Sequence, residues 1–383
     1  MYSTQDHTYM SLALAEAKKA LFISNPNPRV GCVLVKNNEV IGLGHTQAVG
    51  SHHAEIQALE DACKKGFDVA GATAYVTLEP CCHHGRTPPC TDSLINAKIA
   101  KVIAATEDPN PLVAGKGLET LRQAGIDVRC GLLERESTEL NIGFIHRMRT
   151  GMPWVRMKIA ASLDGTTALN NGISQWITSA EARHDGHHWR ARACCVLTGI
   201  GTVKEDNPQM NVRDIDTPRQ PIRVLIDSFL EVPADSKILD ESLGGHTIIF
   251  CGAVEPTRLS EMEKTLKAKN VSVVQLPDLS NDKGKVDLQA VLKHLAEKLH
   301  INEVHIEAGF KLNGSLLREN CVNELLLYIA PTLLGPGAGL ANLPELTNLD
   351  QTTRWEFVDQ TLVGDDLRLR LYLSSQKNPQ KVD

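Results

Sequence analysis

One stretch in the first half of the chain places a histidine, a glutamate and two cysteines in a pattern that fits a single metal ion. His53 and Glu55 form a His-x-Glu unit, and Cys81 follows a proline at the end of an apolar segment, 72–78, that predicts a strand. Cys90 closes a loop after two further prolines. One imidazole and two thiolates leave one corner of a zinc tetrahedron open, and catalytic zinc sites keep such a corner for water. We therefore expect a fold in which these positions converge.

Glu55 has the position of a proton carrier. Residues 54–65 predict a helix, so Glu55 lies just inside its start and can stand over the metal without binding it. The zinc nucleobase deaminases carry this arrangement, with a non-ligand glutamate that shuttles protons. Their usual second half is Pro-Cys-x-x-Cys, whereas here eight residues separate Cys81 from Cys90.

Two other interpretations of this stretch are a closed structural zinc site and buried cysteines without a metal. A closed site needs a fourth ligand, which Cys82, His83 or His84 could supply, and spacing alone leaves this open. The His-x-Glu unit before a helix and the Pro-Cys pair at a strand end favour catalysis.

Composition limits the class of protein. The chain has 383 residues, enough for two or three domains, and no apolar run long enough to cross a bilayer. Residues 1–23 follow a helical pattern with charged positions and do not resemble a signal peptide. Ten cysteines in a chain of this length, whose first residues do not resemble a signal peptide, indicate reduced thiols and a cytoplasmic location. Seven of them lie in apolar patterns and are expected to pack in the cores: Cys32, Cys63, Cys130, Cys194, Cys195, Cys251 and Cys321.

Charge argues against a nucleic-acid substrate. Residues 1–150 hold 15 Lys and Arg against 16 Asp and Glu, and the remainder holds 25 against 30. Nucleic-acid enzymes normally carry a positive surface. Neither half is basic, so no nucleic-acid partner is expected, and the lack of a long apolar run argues against a membrane partner.

The order of predicted elements divides the chain in two. The first part alternates as α-β-β-α-β-α-β-α-β, which predicts a sheet with helices on both faces. The composition changes near 146–153, and we place the boundary between a first domain, 1–148, and a second, 149–383. The second part alternates as in a mostly parallel sheet and ends in a hairpin across residues 364–366.

The second part has no Gly-x-Gly-x-x-Gly after its first strand, so the usual dinucleotide fingerprint is absent. Glycine-rich turns follow several strands, and such turns at helix starts suit phosphates, although most are only turns. A polar cluster is more suggestive, because arginine forks bind phosphate through two hydrogen bonds. The alternative for Arg190, on a predicted helix, is a solvated surface position. The glycine-rich turns are Gly199-x-Gly201, Gly309 and Gly335 to Gly339. The polar cluster comprises Ser174 to Thr178, Arg190, Asp206 and Arg213.

Motifs along nearly the whole chain resemble the bifunctional deaminase–reductases of riboflavin biosynthesis. The long loop between Cys81 and Cys90 separates this family from the transfer-RNA adenosine deaminases. The motifs are Asn25-Pro-Asn-Pro-x-Val-Gly, His53-Ala-Glu55, Glu79-Pro-Cys-x-His-His-Gly-Arg-Thr-Pro-Pro-Cys90, Asp108-Pro-Asn-Pro-Leu-Val-Ala-Gly-Lys-Gly117, Lys158-Ile-Ala-Ala-Ser-Leu-Asp-Gly165, Ser174-Gln-Trp-Ile-Thr178, Asp206-Asn-Pro208 and Glu307-Ala-Gly309.

The resemblance implies a fold and two reactions. The fold is α/β, with an N-terminal cytidine-deaminase-like three-layer α/β/α domain and a C-terminal dihydrofolate-reductase-like α/β domain. The first reaction is zinc-dependent removal of the 2-amino group from 2,5-diamino-6-(5-phosphoribosylamino)pyrimidin-4-one. The second is NADPH-dependent reduction of the ribosyl chain, which gives 5-amino-6-(5-phosphoribitylamino)uracil. Zn²⁺ and NADPH are the implied cofactors, and a homo-oligomer is expected.

The resemblance also assigns residues. His53, Cys81 and Cys90 bind zinc, and Glu55 is catalytic. The deaminase substrate contacts are Asn27, His45, Arg86, Asp108 and Asn110. The reductase substrate contacts are Ser174, Arg190, Met210, Arg213 and Glu307. The cofactor contacts are Ala160, Trp176, Thr202, Asp206, Ser228 and Gly309.

The sequence departs from the family pattern at two of its positions. Met210 stands where leucine is usual, a change of similar volume. Cys82 stands where serine is usual, and a third thiol beside the metal can make the site sensitive to oxidation. Two other functions stay open: a deaminase of bases in RNA or DNA, and a zinc-stabilised binding protein with a decayed second half. The charge balance argues against the first and the intact Glu55 against the second.

Overall fold

The computed structural model describes residues 1–82, 88–266, 269–280, 284–349 and 352–374. The chain divides into two compact units, Met1–Gly151 and Met152–Asp383. The boundary expected between positions 148 and 149 falls inside the last helix of the first unit. Within the described ranges, no helix is long and apolar enough to cross a membrane.

The first unit follows the expected order, with one difference. After the last strand of that order come two helices, separated at Asn141. There the Asn141 side chain accepts from the backbone N–H of Arg29 at 2.7 Å and donates to its carbonyl at 2.9 Å. The elements are α1 (Thr4–Lys19), β1 (Gly31–Lys36), β2 (Glu39–His45), α2 (Ala54–Lys64), β3 (Thr73–Val76), α3 (Cys90–Asn96), β4 (Lys101–Ala104), α4 (Lys116–Gln123), β5 (Asp127–Cys130), α5 (Glu134–Leu140) and α6 (Ile142–Thr150).

The sheet of the first unit has the order β2-β1-β3-β4-β5. The β1 strand is antiparallel to both neighbours, and β3, β4 and β5 run parallel. Successive residues of β1 enter two different apolar clusters, because strand side chains alternate between the faces. Small residues let a helix approach closely: a Cβ on Gly31 would lie 1.9 Å from the carbonyl oxygen of Ala13 in α1. The unit therefore has the three-layer α/β/α architecture predicted from the sequence.

The second unit contains two short helices that the sequence does not predict, α8 (Ile200–Asp206) and α11 (Phe310–Arg318). The first begins directly after a strand, the second is separated from one by three residues, and each has a glycine at its N-cap. The elements are β6 (Trp154–Ser162), β7 (Ala168–Leu169), α7 (Ala180–Arg192), β8 (Cys195–Gly199), α8 (Ile200–Asp206), β9 (Ile222–Ile226), β10 (Thr247–Cys251), α9 (Pro256–Leu266), β11 (Val271–Gln275), α10 (Leu288–Leu299), β12 (Glu303–Ile306), α11 (Phe310–Arg318), β13 (Glu324–Ala330), β14 (Gly337–Ala338), β15 (Trp355–Val363) and β16 (Asp366–Leu373).

The main sheet of the second unit has the order β11-β10-β9-β8-β12-β6-β13-β16-β15. The strands from β11 to β13 are parallel, and the C-terminal hairpin β15–β16 adds two antiparallel strands. The parallel strands β8 and β10 are buried along their whole length, as expected for strands covered on both faces. Because parallel strands end at one edge, the loops after β8, β9 and β12 meet there, where open α/β sheets place their ligands.

A buried ionic network joins four strands of this sheet. Arg156 donates to Glu303 at 3.1 Å and lies 2.9 Å from a Glu324 oxygen, and all three side chains are fully buried. Arg370 donates to the second Glu324 oxygen at 2.7 Å. The Arg156 guanidinium also stacks 4.5 Å from the centre of the Trp189 ring. Such a network favours this order of strands, because another order would leave a buried charge without its partner and raise the free energy of the fold.

All ten cysteines lie in the described part of the chain, and all are free thiols. Most of those expected in the cores are buried. The expectation for Cys63 was wrong, because its position on α2 faces solvent, and Cys130 is only half-buried.

Candidate functional sites

Each metal-ligating side chain of the first unit is placed by the end of a regular element. His53 is the N-cap residue of α2, and Cys90 is the first residue of α3. Cys81 follows β3 after four residues, 77–80, that belong to no helix or strand. The sequence reading placed one ligand at a helix start and both cysteines in the loop after the strand. The structure instead places ligands at two helix starts, where the positive end of the helix favours a thiolate.

The three ligand atoms form a compact cluster. His53 Nδ1 lies 3.2 Å from Cys90 Sγ and 3.6 Å from Cys81 Sγ. All three atoms lie within 4.8 Å of one another. The Cys90 side chain, together with the Cys90 backbone N–H that donates to Cys81 Sγ at 3.4 Å, holds the pKa of Cys81 well below its usual range. One anionic sulfur beside an imidazole is the donor chemistry that zinc prefers.

Glu55 lies beside this cluster in the first turn of α2 and is only 4% exposed. Burial raises the pKa of its carboxyl to about 7, with a further contribution from Cys81. A side chain whose pKa lies near neutrality can both accept and release a proton there.

The donor set fits a zinc ion with an open position. Among the described residues, the only side chains placed to hold one metal ion together are His53, Cys81 and Cys90. Cys82 is half-buried and does not join it, so it does not close the site. His83 and His84, the other two candidates for a fourth ligand, lie outside the described residues.

The predicted deaminase contacts lie on loops and strand ends of the same unit. Asn27 is half-buried in the turn before β1, and His45 ends β2 with Nδ1 3.4 Å from the Glu16 carboxylate. Asp108 is buried, which raises its pKa to about 6, and its carboxylate accepts from the Asn110 backbone at 2.8 Å. Arg86, the fifth predicted contact, lies outside the described residues.

The second unit contains a cavity of about 1320 Å³ at the carboxyl edge of its sheet. Its volume exceeds that of an ordinary small-molecule pocket, so it has room for a dinucleotide and a second ligand together. All the side chains that the resemblance assigned to substrate or cofactor in this unit line it: Ala160, Ser174, Trp176, Arg190, Thr202, Asp206, Met210, Arg213, Ser228, Glu307 and Gly309.

Arg190 is not a solvated surface residue. Its guanidinium forms a two-pronged ion pair with Glu307, in which Nη2 donates to Oε2 at 2.8 Å and Nε to Oε1. Burial acts to raise the pKa of Glu307, but Arg190 and Lys158 outweigh it and hold that pKa well below its usual range. Glu307 is therefore a fixed anion on the cavity wall.

Arg213 reaches the same place from the loop after α8. Its Nη1 donates to Asn211 Oδ1 at 3.3 Å, while Arg190 Nη1 donates to the Asn211 carbonyl at 2.9 Å. Asn211 therefore connects the two arginines. Arg213 is exposed, and it adds positive charge to the mouth of the cavity.

The glycine turns at Gly199-x-Gly201 and Gly309, which the sequence marks as possible phosphate sites, begin α8 and α11. Both helix starts line the cavity, and their N–H groups suit a phosphate. Lys158 also lines it, with Nζ 3.8 Å from Glu307. The sequence signal for Lys158 is its charge within a largely apolar strand, a feature that it shares with Arg156. The glycine-rich stretch 335–339 is not a helix start, because Gly337 and Ala338 form the short strand β14.

Comparisons with known proteins agree with both sites. The profile of the cytidine and deoxycytidylate deaminase zinc-binding region matches residues 3–106, and that of the RibD C-terminal domain matches residues 153–369. The chain is 44% identical to the riboflavin biosynthesis protein RibD of Escherichia coli over 380 residues, which cover 96% of this chain and 99% of the relative.

Two solved structures resemble the whole chain. Acinetobacter baumannii RibD superposes with a TM-score of 0.84 at 40% identity and covers 97% of this chain and 99% of its own. A Thermotoga maritima protein, a diaminohydroxyphosphoribosylaminopyrimidine deaminase/5-amino-6-(5-phosphoribosylamino)uracil reductase, gives 0.82 at 32% identity and covers 96% and 99%. With this identity, coverage and pair of sites, the chain belongs to the RibD family of riboflavin biosynthesis proteins.

Proposed function

We propose that the chain catalyses two consecutive reactions of riboflavin biosynthesis. The first unit deaminates 2,5-diamino-6-(5-phosphoribosylamino)pyrimidin-4-one, and the second reduces the ribosyl chain of the product with NADPH. The observation that carries the proposal is the cluster of His53, Cys81 and Cys90 with buried Glu55 beside it, in a chain that matches the family from end to end. The balanced charge of the first half and the acidic charge of the second support a small substrate rather than a nucleic acid.

In the deamination, His53, Cys81 and Cys90 hold the zinc ion. Zinc, when bound, supplies Lewis-acid chemistry that makes water nucleophilic at neutral pH. The Glu55 carboxylate accepts a proton from the attacking water and passes it to the departing amine, which leaves as ammonia. Because burial holds the pKa of Glu55 at about 7, both directions of this transfer are accessible at neutral pH. Asn27, His45, Asp108 and Asn110 orient the substrate, together with Arg86 of the segment outside the described residues.

In the reduction, the residues of the chain act mainly by positioning. NADPH, when bound, supplies a hydride. The cofactor contacts are Ala160, Trp176, Thr202, Asp206, Ser228 and Gly309, and the helix starts at α8 and α11 suit its phosphates. Ser174, Met210, Glu307 and the two arginines bind the substrate. Arg190 fixes Glu307 through its two-pronged pair, which leaves Arg213 as the arginine exposed toward the 5-phosphate.

The decisive test measures both reactions on one preparation. Wild-type protein with the phosphoribosyl pyrimidine should release ammonia and then consume NADPH, with about one zinc per chain. Glu55→Gln should keep its zinc and lose deamination by about a hundredfold to ten-thousandfold, because it lacks the proton carrier. The same variant should still reduce supplied deaminated intermediate at the wild-type rate.

Metal analysis that finds no zinc in active protein would contradict the proposal. So would deamination of adenosine or cytidine in an oligonucleotide with none of the phosphoribosyl pyrimidine, since that outcome favours a nucleic-acid deaminase.

We also infer that the chain forms a homo-oligomer. Support comes from β15, an edge strand of the large sheet with Phe357 and Leu362 exposed by 59% and 75%. An open apolar edge invites a further strand or a second copy. Light scattering on purified protein should give a multiple of the 41.9 kDa chain mass, and a single-chain mass at micromolar concentration would contradict this.

A further inference from the structure

Glu79 makes four hydrogen bonds to main-chain groups of one distant segment. Its side chain is buried, with 3% exposed. Oε2 accepts from the backbone N–H groups of Asp108 at 3.0 Å and Gly115 at 2.9 Å. Oε1 accepts from Gly117 at 2.8 Å and Leu118 at 3.2 Å. Both carboxylate oxygens are therefore committed to the segment that follows β4.

Two of these donors belong to the first turn of α4, where the N–H groups have no partner within the helix. The N-cap residue, Gly115, has no side chain that could cap them, and its φ of +83° suits glycine. Glu79 supplies the cap from a different element. A carboxylate is well suited to this place because it also faces the positive end of the helix dipole.

The start of α4 packs directly on the segment that leads to the metal ligands. A Cβ added at Gly117 would lie 2.1 Å from the carbonyl oxygen of Pro80, the residue before Cys81. Glycine at this position therefore permits the close approach that the Glu79 hydrogen bonds require. The residues that lead to Cys81 therefore contact the start of α4 where Pro80 meets Gly117.

The same anchor fixes the start of the loop between β4 and α4. Glu79 holds the backbone of Asp108, and the Asp108 carboxylate in turn accepts from the Asn110 backbone at 2.8 Å. The Asn110 side chain then accepts from the Leu112 backbone at 3.1 Å. A chain of hydrogen bonds therefore runs from Glu79 to the two side chains that the proposed deamination assigns to substrate binding.

We propose that Glu79 is a positioning residue for the deamination. It holds the segment 108–110 at a fixed place relative to the Cys81 loop, so that Asp108 and Asn110 meet a substrate lying over the metal. The inference rests on the proposed deaminase function, because these two side chains matter only if a substrate lies against them. Glu79 acts through the segment and not on the reacting atoms.

Glutamine cannot replace this carboxylate. Its amide offers one oxygen, and its NH₂ group would face two backbone N–H donors that then lose their acceptor. In full-length Glu79→Gln we expect the deaminase KM to rise about tenfold, with kcat changed by less than about twofold. Zinc content and the reduction of supplied intermediate should equal those of the wild type.

Glu119→Gln is the matched control, since Glu119 is an exposed carboxylate on the same helix and should leave both reactions unchanged. A double variant with Asn110→Ala separates positioning from general stability. If Glu79 acts through the segment, the rise in KM of the double variant should be smaller than the product of the two single-variant rises, because part of the Glu79 effect passes through Asn110.

An unchanged KM in zinc-loaded Glu79→Gln would overturn the inference. Loss of zinc with a fall in kcat at constant KM would also overturn it, since Glu79 would then serve the ligands. If the glutamine variant does not fold, Glu79→Asp decides, because it keeps the charge but its side chain is one methylene shorter and cannot hold the N–H groups of Asp108 and Gly117 together. It should keep zinc and raise KM at least about tenfold, and an unchanged KM refutes the inference. Wild-type protein that fails to deaminate the pyrimidine refutes the proposed function itself.

Discussion

At the scale of single residues, the two arginines of the second unit have different surroundings. Arg190 is held by Glu307 on both prongs of its guanidinium, whereas Arg213 is exposed and donates only one described side-chain hydrogen bond, to Asn211. A doubly charged phosphate at the cavity mouth would therefore meet Arg213 with most of its donors free to rotate toward it. The fork geometry of arginine binds two phosphate oxygens at once, which a lysine cannot do.

Arg213→Lys should raise the reductase KM for the phosphorylated substrate. Loss of one charge-assisted hydrogen bond costs roughly 1.5–3 kcal/mol, which corresponds to about a tenfold to hundredfold change in binding. The measurement is steady-state reduction of the deaminated intermediate, with NADPH binding and the deaminase rate expected to stay near wild type.

The dephosphorylated substrate is the control, on which wild type and variant should perform alike. If the variant weakens NADPH binding instead, Arg213 contacts a cofactor phosphate. The substrate and NADPH then occupy the opposite parts of the cavity from those proposed.

The sequence alone predicts local features of the chain but not the contacts between residues far apart in it. Periodicity and caps are local, so a capping serine such as Ser179 and the pattern after it are enough to indicate α7, which ends at Arg192. The metal ligands were found because the motif states their chemistry. The Arg190–Glu307 pair and the contacts of Glu79 join positions far apart in the chain, and only the folded sheet brings them together. The α8 and α11 helices were missed because they are short and begin at glycines that resemble ordinary turns.

At the scale of elements, the buried network ties β6, β12, β13 and β16 together through charge. Burial acts to raise the pKa of Glu324, but Arg156 and Arg370 outweigh it and bring that pKa to about 2, against an ordinary value of 4.5. A lowered pKa in the folded state means that this stabilisation is fully present above about pH 4.5. It is lost as the pH falls toward about 2, because the proton binds the unfolded chain more strongly.

Glu324→Gln should destabilise the second unit at neutral pH by about 3–5 kcal/mol, since it leaves Arg156 and Arg370 without their full partner. It should also flatten the pH dependence of unfolding between about pH 4.5 and 2. All four tryptophans of the chain lie between positions 154 and 355, so urea unfolding followed by tryptophan fluorescence reports this unit.

Glu297→Gln is the matched control, because its pair with Lys293 on α10 is exposed and 3.9 Å long. Exposed pairs contribute at most about 1 kcal/mol, so this variant should unfold almost like the wild type. Equal stability of the Glu324 variant and the wild type at neutral pH would show that the network carries no net stabilisation.

At the scale of the whole molecule, each unit contains the parts of one proposed reaction. The ligand cluster and Glu55 lie in Met1–Gly151, and the large cavity lies in Met152–Asp383. Each unit also has its own sheet and its own apolar clusters, whose buried members come from that unit alone. A unit of this size that buries its own core is expected to fold independently.

A fragment that starts at Met152 should therefore fold cooperatively and bind NADPH with nearly the affinity of the full chain. A fragment that ends at Gly151 should bind about one zinc ion, since all three ligands are on it. Circular dichroism in urea and NADPH titration test the first fragment, and metal analysis tests the second. An unfolded Met152 fragment would show that the second sheet needs the first unit for its stability. In that case a boundary drawn from contacts would not be a boundary of folding, and variants in one unit would be expected to alter both reactions.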